Sequence, residues 1–183
     1  CARISEEPFF QESPFDMLYR LKGTRQSPQH HPEGDVFVHT MLVVDQAARR
    51  REDSREPKAF MWAALLHDIG KPSTTRNRKG KITSYDHDKA GAELAETFLS
   101  KLTDDTLFIQ KVVRLVRWHM QILFVVNRLS FADLEGMLAE TDVRELGLLG
   151  LCDRLGRKGA DRVREEENIR VFLQRCKEYE KGR

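Results

Sequence analysis

Cysteine is scarce in this sequence, with three residues among 183, at positions 1, 152 and 176, and no C-x-x-C pair. Such an odd, scattered set argues against a disulfide scaffold and against a zinc finger, and it favours a reducing, cytoplasmic location. A membrane-spanning helix needs about 20 apolar residues, and no apolar run in the sequence approaches that length. We also find no signal-peptide pattern. Because the first residue is Cys1 rather than methionine, we expect a chain that is trimmed, disordered upstream or cut from a longer protein.

An excess of charge of one sign is lacking as well. Lys and Arg number 31 against 29 Asp and Glu, which gives a formal net charge of +2. This balance excludes a polybasic nucleic-acid tail or an acidic disordered tail as the main feature. The sequence contains no internal repeat, no G-x-x-x-x-G-K-[ST] phosphate loop and no DNA-binding motif. The length suits one soluble globular domain, at about 150 residues per domain.

Helical spacing of apolar residues dominates the sequence and predicts an all-α fold. Residues 123–126 suit a strand or a helix, and the polar residues 73–85 predict an exposed loop. The predicted helices cover residues 35–50, 57–67, 88–101, 104–119, 143–157 and 160–181, with a short helix start between residues 130 and 135.

The first 33 residues differ from the rest in their proline content. Pro8, Pro14, Pro28 and Pro32 favour an irregular segment, with one short helix near residues 15–21. We therefore predict that residues 1–33 pack on the core, and that residues 34–183 form the domain and end in an amphipathic helix. The apolar face of that helix suits the core or a partner, so oligomerisation is an open alternative.

Adjacent residues His67 and Asp68 are the first candidates for metal ligands. Neighbouring side chains on a regular helix point about 100° apart, so the two can share one ion only near a helix end. Gly70 and Pro72 predict such an end. His39 lies on the apolar face of the preceding predicted helix, where an imidazole needs a partner, and a metal ion is one candidate.

Asp153 follows the apolar run of residues 148–152. A carboxylate in that setting is costly unless it is paired or bound to a cation. A salt bridge with Arg154 or Arg157 is the simple explanation, and metal ligation is the other. The residues alone therefore predict no more than a His/Asp metal site.

The order of these residues resembles a known signature. His39, then His67 with Asp68, then Asp153 match the H…HD…D pattern of the HD-domain metal-dependent phosphohydrolases, and residues 67–70 are the H-D-I-G form of it. The resemblance covers about residues 28–157. It implies a helical bundle with a metal site in its centre, where these four side chains hold one ion.

The resemblance extends to the HD domain of the bacterial multifunctional tRNA nucleotidyltransferases. Residues 31–41 resemble its opening block, and residues 152–157 its A-D-x-x-G-R closing block, with Cys152 where alanine is usual. His87 with Gly91, and residues 117–119, resemble two further blocks. We find no Gly-Ser turn followed by D-x-D, so we expect that this chain does not add nucleotides by itself.

The further histidines resemble those of dinuclear HD enzymes. This resemblance implies that His87 and His119 would hold a second metal ion and that Asp68 would bridge the two ions. The alternatives are that both bind phosphate directly, or that they are surface or capping histidines. Imidazole and carboxylate suit one or two ions of Mn, Fe, Ni, Co or Zn. A mixed-valent iron oxygenase shares the motif, but the basic residues after it favour an anionic substrate.

The resemblance implies a metal-dependent phosphohydrolase that acts on nucleotides or RNA-end phosphates, as phosphomonoesterase or 2′,3′-cyclic phosphodiesterase. The ion would make hydroxide at neutral pH by lowering the pKa of bound water from 15.7 to about 7. The alternative is a non-catalytic, regulatory HD module that binds a metal or a nucleotide.

Four basic side chains are candidates for contact with a phosphorylated substrate. Lys71 would stabilise charge on the phosphate beside Asp68, or would simply be exposed. Arg157 lies one turn after Asp153 and would point the same way. His31 and Arg76 are further candidates for substrate contact. Arg76 belongs to a run of basic residues that is also typical of a solvated loop. Glu33 suits a general acid or base, or a capping glutamate.

Overall fold

Helices carry almost all the regular structure in the computed structural model, which describes residues 6–182. The fold is all-α, as the apolar spacing predicts. The helices are α1 (Asp16–Tyr19), α2 (Val36–Arg49), α3 (Pro57–Leu66), α4 (Lys71–Thr74), α5 (His87–Ser100), α6 (Thr106–Trp118), α7 (Gln121–Val126), α8 (Leu134–Glu140), α9 (Val143–Leu155) and α10 (Arg162–Lys181). The strands are β1 (Arg76–Arg78) and β2 (Lys81–Thr83), and 3₁₀ turns cover Pro8–Gln11 and Arg51–Asp53.

Aspartate side chains cap five of the helices. Each accepts a hydrogen bond from a backbone N–H in the first turn, which satisfies a donor that the helix itself leaves free. These caps explain why most observed helices begin within two residues of their predicted starts. The capping residues are Asp35, Asp105, Asp133, Asp142 and Asp161.

Helix α3 is central to the bundle, because it packs against α2, α6 and α9. Its residues Phe60, Ala63, Ala64 and Leu66 are fully buried. Helix α5 packs on α6, and α10 packs on α9. The end of α3 is therefore enclosed by helices from the rest of the chain, and a polar group placed there must find its partners inside the protein.

The described part of the N-terminal segment packs on this bundle. Phe10 and Leu21 are buried in the core. The Phe10 ring meets that of Phe37 edge-on with centroids 5.9 Å apart, and Phe15 meets Phe98 in the same way at 5.6 Å. The division of the chain at residue 33 stays a prediction.

One local prediction needs correction, and one open alternative is decided. Residues 73–85, expected to be an exposed loop, contain an antiparallel hairpin in which Arg76 pairs with Thr83 and Arg78 with Lys81. The turn residues Lys79 and Gly80 have φ angles of 51° and 80°, as a two-residue hairpin turn requires. The run at residues 123–126, which suits a strand or a helix by its sequence, lies in helix α7.

The remaining segments follow their predictions with small differences. The tail forms α10, and Phe172 is buried on its apolar face, although Val163 at its start is 77% exposed. Cys152 and Cys176 are buried free thiols, and Cys1 lies outside the described residues. Within residues 6–182, no helix has both the length and the apolar character needed to cross a membrane.

A backbone contact joins the end of α3 to the start of α5. A Cβ atom added at Gly70 would lie 2.2 Å from the carbonyl oxygen of His87 and 2.6 Å from the backbone nitrogen of Gly91. Both values are far below a van der Waals contact, so only glycine fits at position 70. The contact fixes the position of His87 relative to residues 67 and 68.

We predict that Gly70→Ala lowers the free energy of unfolding by about 3 kcal/mol, since the new methyl group must displace backbone atoms. Urea unfolding measures this value. Gly182→Ala is the matched control, because its Cβ would lie 3.6 Å from the Glu178 oxygen, an ordinary contact. Equal stability of the two variants would contradict this account of the junction.

Candidate metal centre

The chain turns sharply where α3 ends, and this turn brings adjacent side chains to one side. Helix α3 ends at Leu66, after which the Ile69 N–H donates to the Leu66 carbonyl and the Lys71 N–H to the Asp68 carbonyl. These bonds span three residues and tighten the backbone. As a result His67 Nε2 lies 3.3 Å from Asp68 Oδ2. The helix end that Gly70 and Pro72 predict lies just before His67, and it allows the two side chains to meet.

Four histidine rings are held by oxygen atoms that lie close to Nδ1. Three of the oxygens are carbonyls three residues earlier in the chain, and the fourth belongs to a carboxylate. A carbonyl oxygen only accepts, so Nδ1 carries the hydrogen in those three rings and Nε2 presents a lone pair. The pairs are His67 with Ala64 at 2.9 Å, His87 with Ser84 at 2.7 Å, His119 with Val116 at 2.6 Å, and His39 with Glu33 at 2.8 Å.

The two carboxylate oxygens of Asp68 face different pairs of histidines. Asp68 Oδ2 lies 3.3 Å from His67 Nε2 and 3.9 Å from His39 Nε2. Asp68 Oδ1 lies 3.4 Å from His87 Nε2 and 3.9 Å from His119 Nε2. This carboxylate therefore stands between two groups of imidazole nitrogens.

Asp153 completes the first of these groups. Its Oδ1 lies 3.0 Å from His39 Nε2. Ligand atoms from His39, His67 and Asp153 lie within 4.8 Å of one another, and so do those from Asp68, His87 and His119. The structure thus brings together all six residues that the sequence proposed as ligands. Their role in binding a metal stays a prediction.

Charged neighbours keep both buried aspartates ionised. Burial alone would raise the pKa of Asp68, but Lys71 and His67 outweigh it and hold the pKa well below its usual value. Burial acts in the same sense on Asp153, where Arg157 and His39 hold the pKa well below the usual range. Two anionic carboxylates are therefore available at neutral pH.

The second group contains a contact that neutral histidines alone disfavour. His87 Nε2 and His119 Nε2 lie 3.2 Å apart, and both Nδ1 atoms are already committed to carbonyls, so two lone pairs face each other. A proton between them is opposed because burial, followed by the charges of His87 and His67, lowers the pKa of His119 to about 4. A cation held between the two nitrogens would remove this repulsion.

In and around the first group, three buried atoms lack a hydrogen-bond partner among the described residues: His67 Nε2, His39 Nδ1 and Asp68 Oδ2. Among them, His67 Nε2 indicates a ligand most directly. An uncompensated buried polar atom costs about 1–3 kcal/mol. The donor set of imidazole nitrogens and carboxylate oxygens suits a divalent transition metal better than Ca²⁺, and the identity of the metal stays a prediction.

Lys71 lies against the centre and not in solvent. Its Nζ is 2.7 Å from Asp68 Oδ2 and donates to Gln26 Oε1 at 2.6 Å. Gln26 is a residue that the sequence analysis missed, because a lone glutamine in a proline-containing segment carries no signal. Gln26 Nε2 is buried without a hydrogen-bond partner among the described residues.

The other proposed substrate residues occupy different positions. Arg157 Nη2 lies 3.4 Å from Asp153 Oδ2, and the His31 ring lies 4.6 Å from that of His39. Glu33 Oε1 lies 2.9 Å from His31 Nδ1 as well as close to His39. Arg76 is exposed on β1 and donates to the Thr75 carbonyl, and no described hydrogen bond or ion pair joins it to the centre.

These six side chains and their helices define a known class of domain. The HD domain family matches residues 36–157, which is more than half of the chain and includes all six. The chain therefore belongs to the HD domain family.

Curated relatives that match the chain bear the name Multifunctional CCA protein. The protein from Actinobacillus pleuropneumoniae serotype 5b (strain L20) is 36% identical over 105 residues, covering 57% of this chain and 25% of the relative. Those from Aromatoleum aromaticum and Methylococcus capsulatus are 35% and 30% identical over 147 and 173 residues, covering 76% and 92% of this chain and 34% of each relative. The chain thus spans about a third or less of these relatives' length.

We predict that the metal-free protein loses stability between pH 6.5 and pH 4. Burial lowers the pKa values of His119 and His31 from 6.5 to about 4 and about 3. For His39 the carboxylates of Asp153 and Glu33 outweigh burial and raise the pKa, which offsets part of the loss. Below pH 6.5 the unfolded chain binds protons that the folded chain refuses, so the free energy of unfolding falls as the pH falls. The loss is up to about 1.4 kcal/mol per pH unit for each residue.

Urea unfolding in the presence of EDTA, at pH 7 and pH 5, measures this loss. His119→Gln should reduce the difference between the two pH values, whereas His30→Gln removes an exposed imidazole and serves as the control. If the free energy of unfolding of His119→Gln falls between pH 7 and pH 5 as much as that of wild type, the buried imidazole is not the source of the loss.

Proposed function

We propose that this chain is a metal-dependent phosphohydrolase that acts on nucleotides or on RNA-end phosphates, either phosphomonoesters or 2′,3′-cyclic phosphates. The observation that supports it most is the position of Asp68 between two groups of imidazole nitrogens, one of which holds two Nε2 atoms 3.2 Å apart. The resemblance to the HD domain of tRNA nucleotidyltransferases supports an RNA end as the substrate.

In this proposal, His39, His67, Asp68 and Asp153 would hold one ion. His87 and His119 would hold a second ion, with Asp68 as a shared ligand. When bound, such ions lower the pKa of water to about 7 and polarise a phosphoryl oxygen. The ion is Mn, Fe, Ni, Co or Zn, the metals that suit this set of ligands.

The chain's own residues orient the site and attract the substrate. Asp68 stays anionic and joins the two groups, and the Nδ1 contacts keep each ring in place without rearrangement. Lys71 acts as a catalytic residue by placing an ammonium beside the reacting phosphate. Arg157, His31 and Arg76 are the remaining candidates for substrate contact. Arg157 is favoured among them because its guanidinium already lies beside a carboxylate of the centre.

We predict that purified wild-type protein contains about two transition-metal ions per chain and releases phosphate from nucleotide monoesters or opens 2′,3′-cyclic phosphates. Asp68→Asn should lose most of the metal, because both groups lose a charged oxygen, and should lower hydrolysis at least 100-fold. Elemental mass spectrometry and phosphate release measure the two effects. Glu145→Gln is the matched control, since Glu145 is a buried carboxylate that contacts Ser54 outside the centre.

Other outcomes separate the alternatives. About one ion per chain favours a mononuclear site in which His87 and His119 bind the phosphate. A metal-loaded protein that is stabilised by nucleotides but releases no phosphate is a regulatory module and contradicts the proposed enzyme. Hydrolysis by metal-free Asp68→Asn would contradict the roles assigned to the centre.

A further inference from the structure

An arginine-lined groove lies at the surface beside the candidate centre. It has a volume of about 630 Å³ and runs between the end of α2 and the connection from α9 to α10. Four arginines and a single acidic residue contribute to its wall. These charged lining residues are Arg49, Arg50, Asp53, Arg157 and Arg162.

The guanidinium groups in this groove are available to an anionic ligand. Arg49 is exposed. Arg50 donates to the side-chain and backbone oxygens of Gln46, at 2.8 and 3.3 Å, and both acceptors are neutral. Arg162 pairs with Glu166, but such an exposed pair contributes little and exchanges readily. The favourable position of cations at a helix C-terminus accounts for Arg49 and Arg50 at the end of α2 and applies to Arg157 after α9. It does not account for Arg162, which begins α10.

Arg157 connects the groove to the candidate centre. It also lines a small cavity of about 20 Å³ that His119 and Asp153 help to form. Its Nη2 lies 3.4 Å from Asp153 Oδ2. Its Nε is buried and has no hydrogen-bond partner in the described part of the chain. One side chain thus touches the metal centre on one side and the arginine groove on the other.

We propose that the groove binds the sugar-phosphate backbone of single-stranded RNA whose terminal phosphate enters the centre. This inference rests on the proposed function and adds a preference for a polynucleotide over a mononucleotide. From His39 to Arg50 the helix α2 rises about 16 Å, so the positive charges continue well beyond the reacting phosphate. Arginine suits this role because its planar group binds phosphate oxygens in pairs.

Direct binding tests the groove without any need for turnover. The probe is a fluorescent hexaribonucleotide with a 3′-phosphate, and anisotropy gives its Kd at several salt concentrations. We expect Arg49→Gln/Arg50→Gln to bind about tenfold more weakly, and the slope of log K against log salt to fall by about 1.4, at about 0.7 for each lost phosphate contact.

The matched control removes two arginines that do not line the groove. Arg20→Gln/Arg170→Gln has the same loss of charge, and both residues are exposed and paired with Asp16 and Glu167. We expect its Kd to stay within about twofold of wild type, since distant exposed charges are screened. If both double variants weaken binding equally, general charge and not the groove attracts RNA, and the proposal is wrong.

Turnover separates this proposal from the proposed function. For wild type, kcat/KM should be higher for a hexamer with a 2′,3′-cyclic end than for a 2′,3′-cyclic mononucleotide. The groove variant should lose about tenfold with the hexamer only. Equal kcat/KM values for both substrates, unchanged in the groove variant, would contradict RNA binding by the groove but agree with the proposed phosphohydrolase activity. RNA binding that depends on the groove arginines, without any hydrolysis, would support the groove as an RNA-binding site and contradict the proposed phosphohydrolase activity.

Discussion

The buried carboxylate of Asp68 is the constraint on which the rest of this structure depends. An ionised group in a protein interior is very costly unless cations or hydrogen-bond donors surround it. Here the surrounding groups come from widely separated parts of the chain, because α2, α5 and α6 each contribute a histidine and Lys71 contributes an ammonium. The helices can pack in this arrangement only if that charge is compensated, so the fold and the centre form one system.

Local backbone geometry orients three of the candidate ligands. His67, His87 and His119 each donate from Nδ1 to the carbonyl three residues earlier, at a point where a helix ends or begins. Each of these three rings is therefore oriented by a hydrogen bond within its own turn. His39 differs, because the carboxylate of Glu33 lies against its Nδ1.

Apolar periodicity in the sequence predicts the all-α fold. The residues alone predict only a His/Asp metal site, and the full set of six ligand candidates follows from the resemblance of their order to that of HD enzymes. Gln26 was missed because its contact with Lys71 joins residues 45 positions apart, and no local pattern encodes such a contact. Glu33 was weighed as a general acid or base, and its position between His31 and His39 became visible only in the fold. The hairpin at residues 76–83 was also missed, because its short strands are polar.

That hairpin separates two halves of the centre along the chain but not in space. His67 and Asp68 precede it and His87 follows it, while the contact of Gly70 with His87 and Gly91 holds its two ends together. The turn at Lys79 and Gly80 is exposed to solvent. Lengthening a surface loop with fixed ends costs little, since the entropy of closure grows only slowly with length. The hairpin tip is therefore a point where extra residues, or a whole inserted module, fit without moving the ligands on either side.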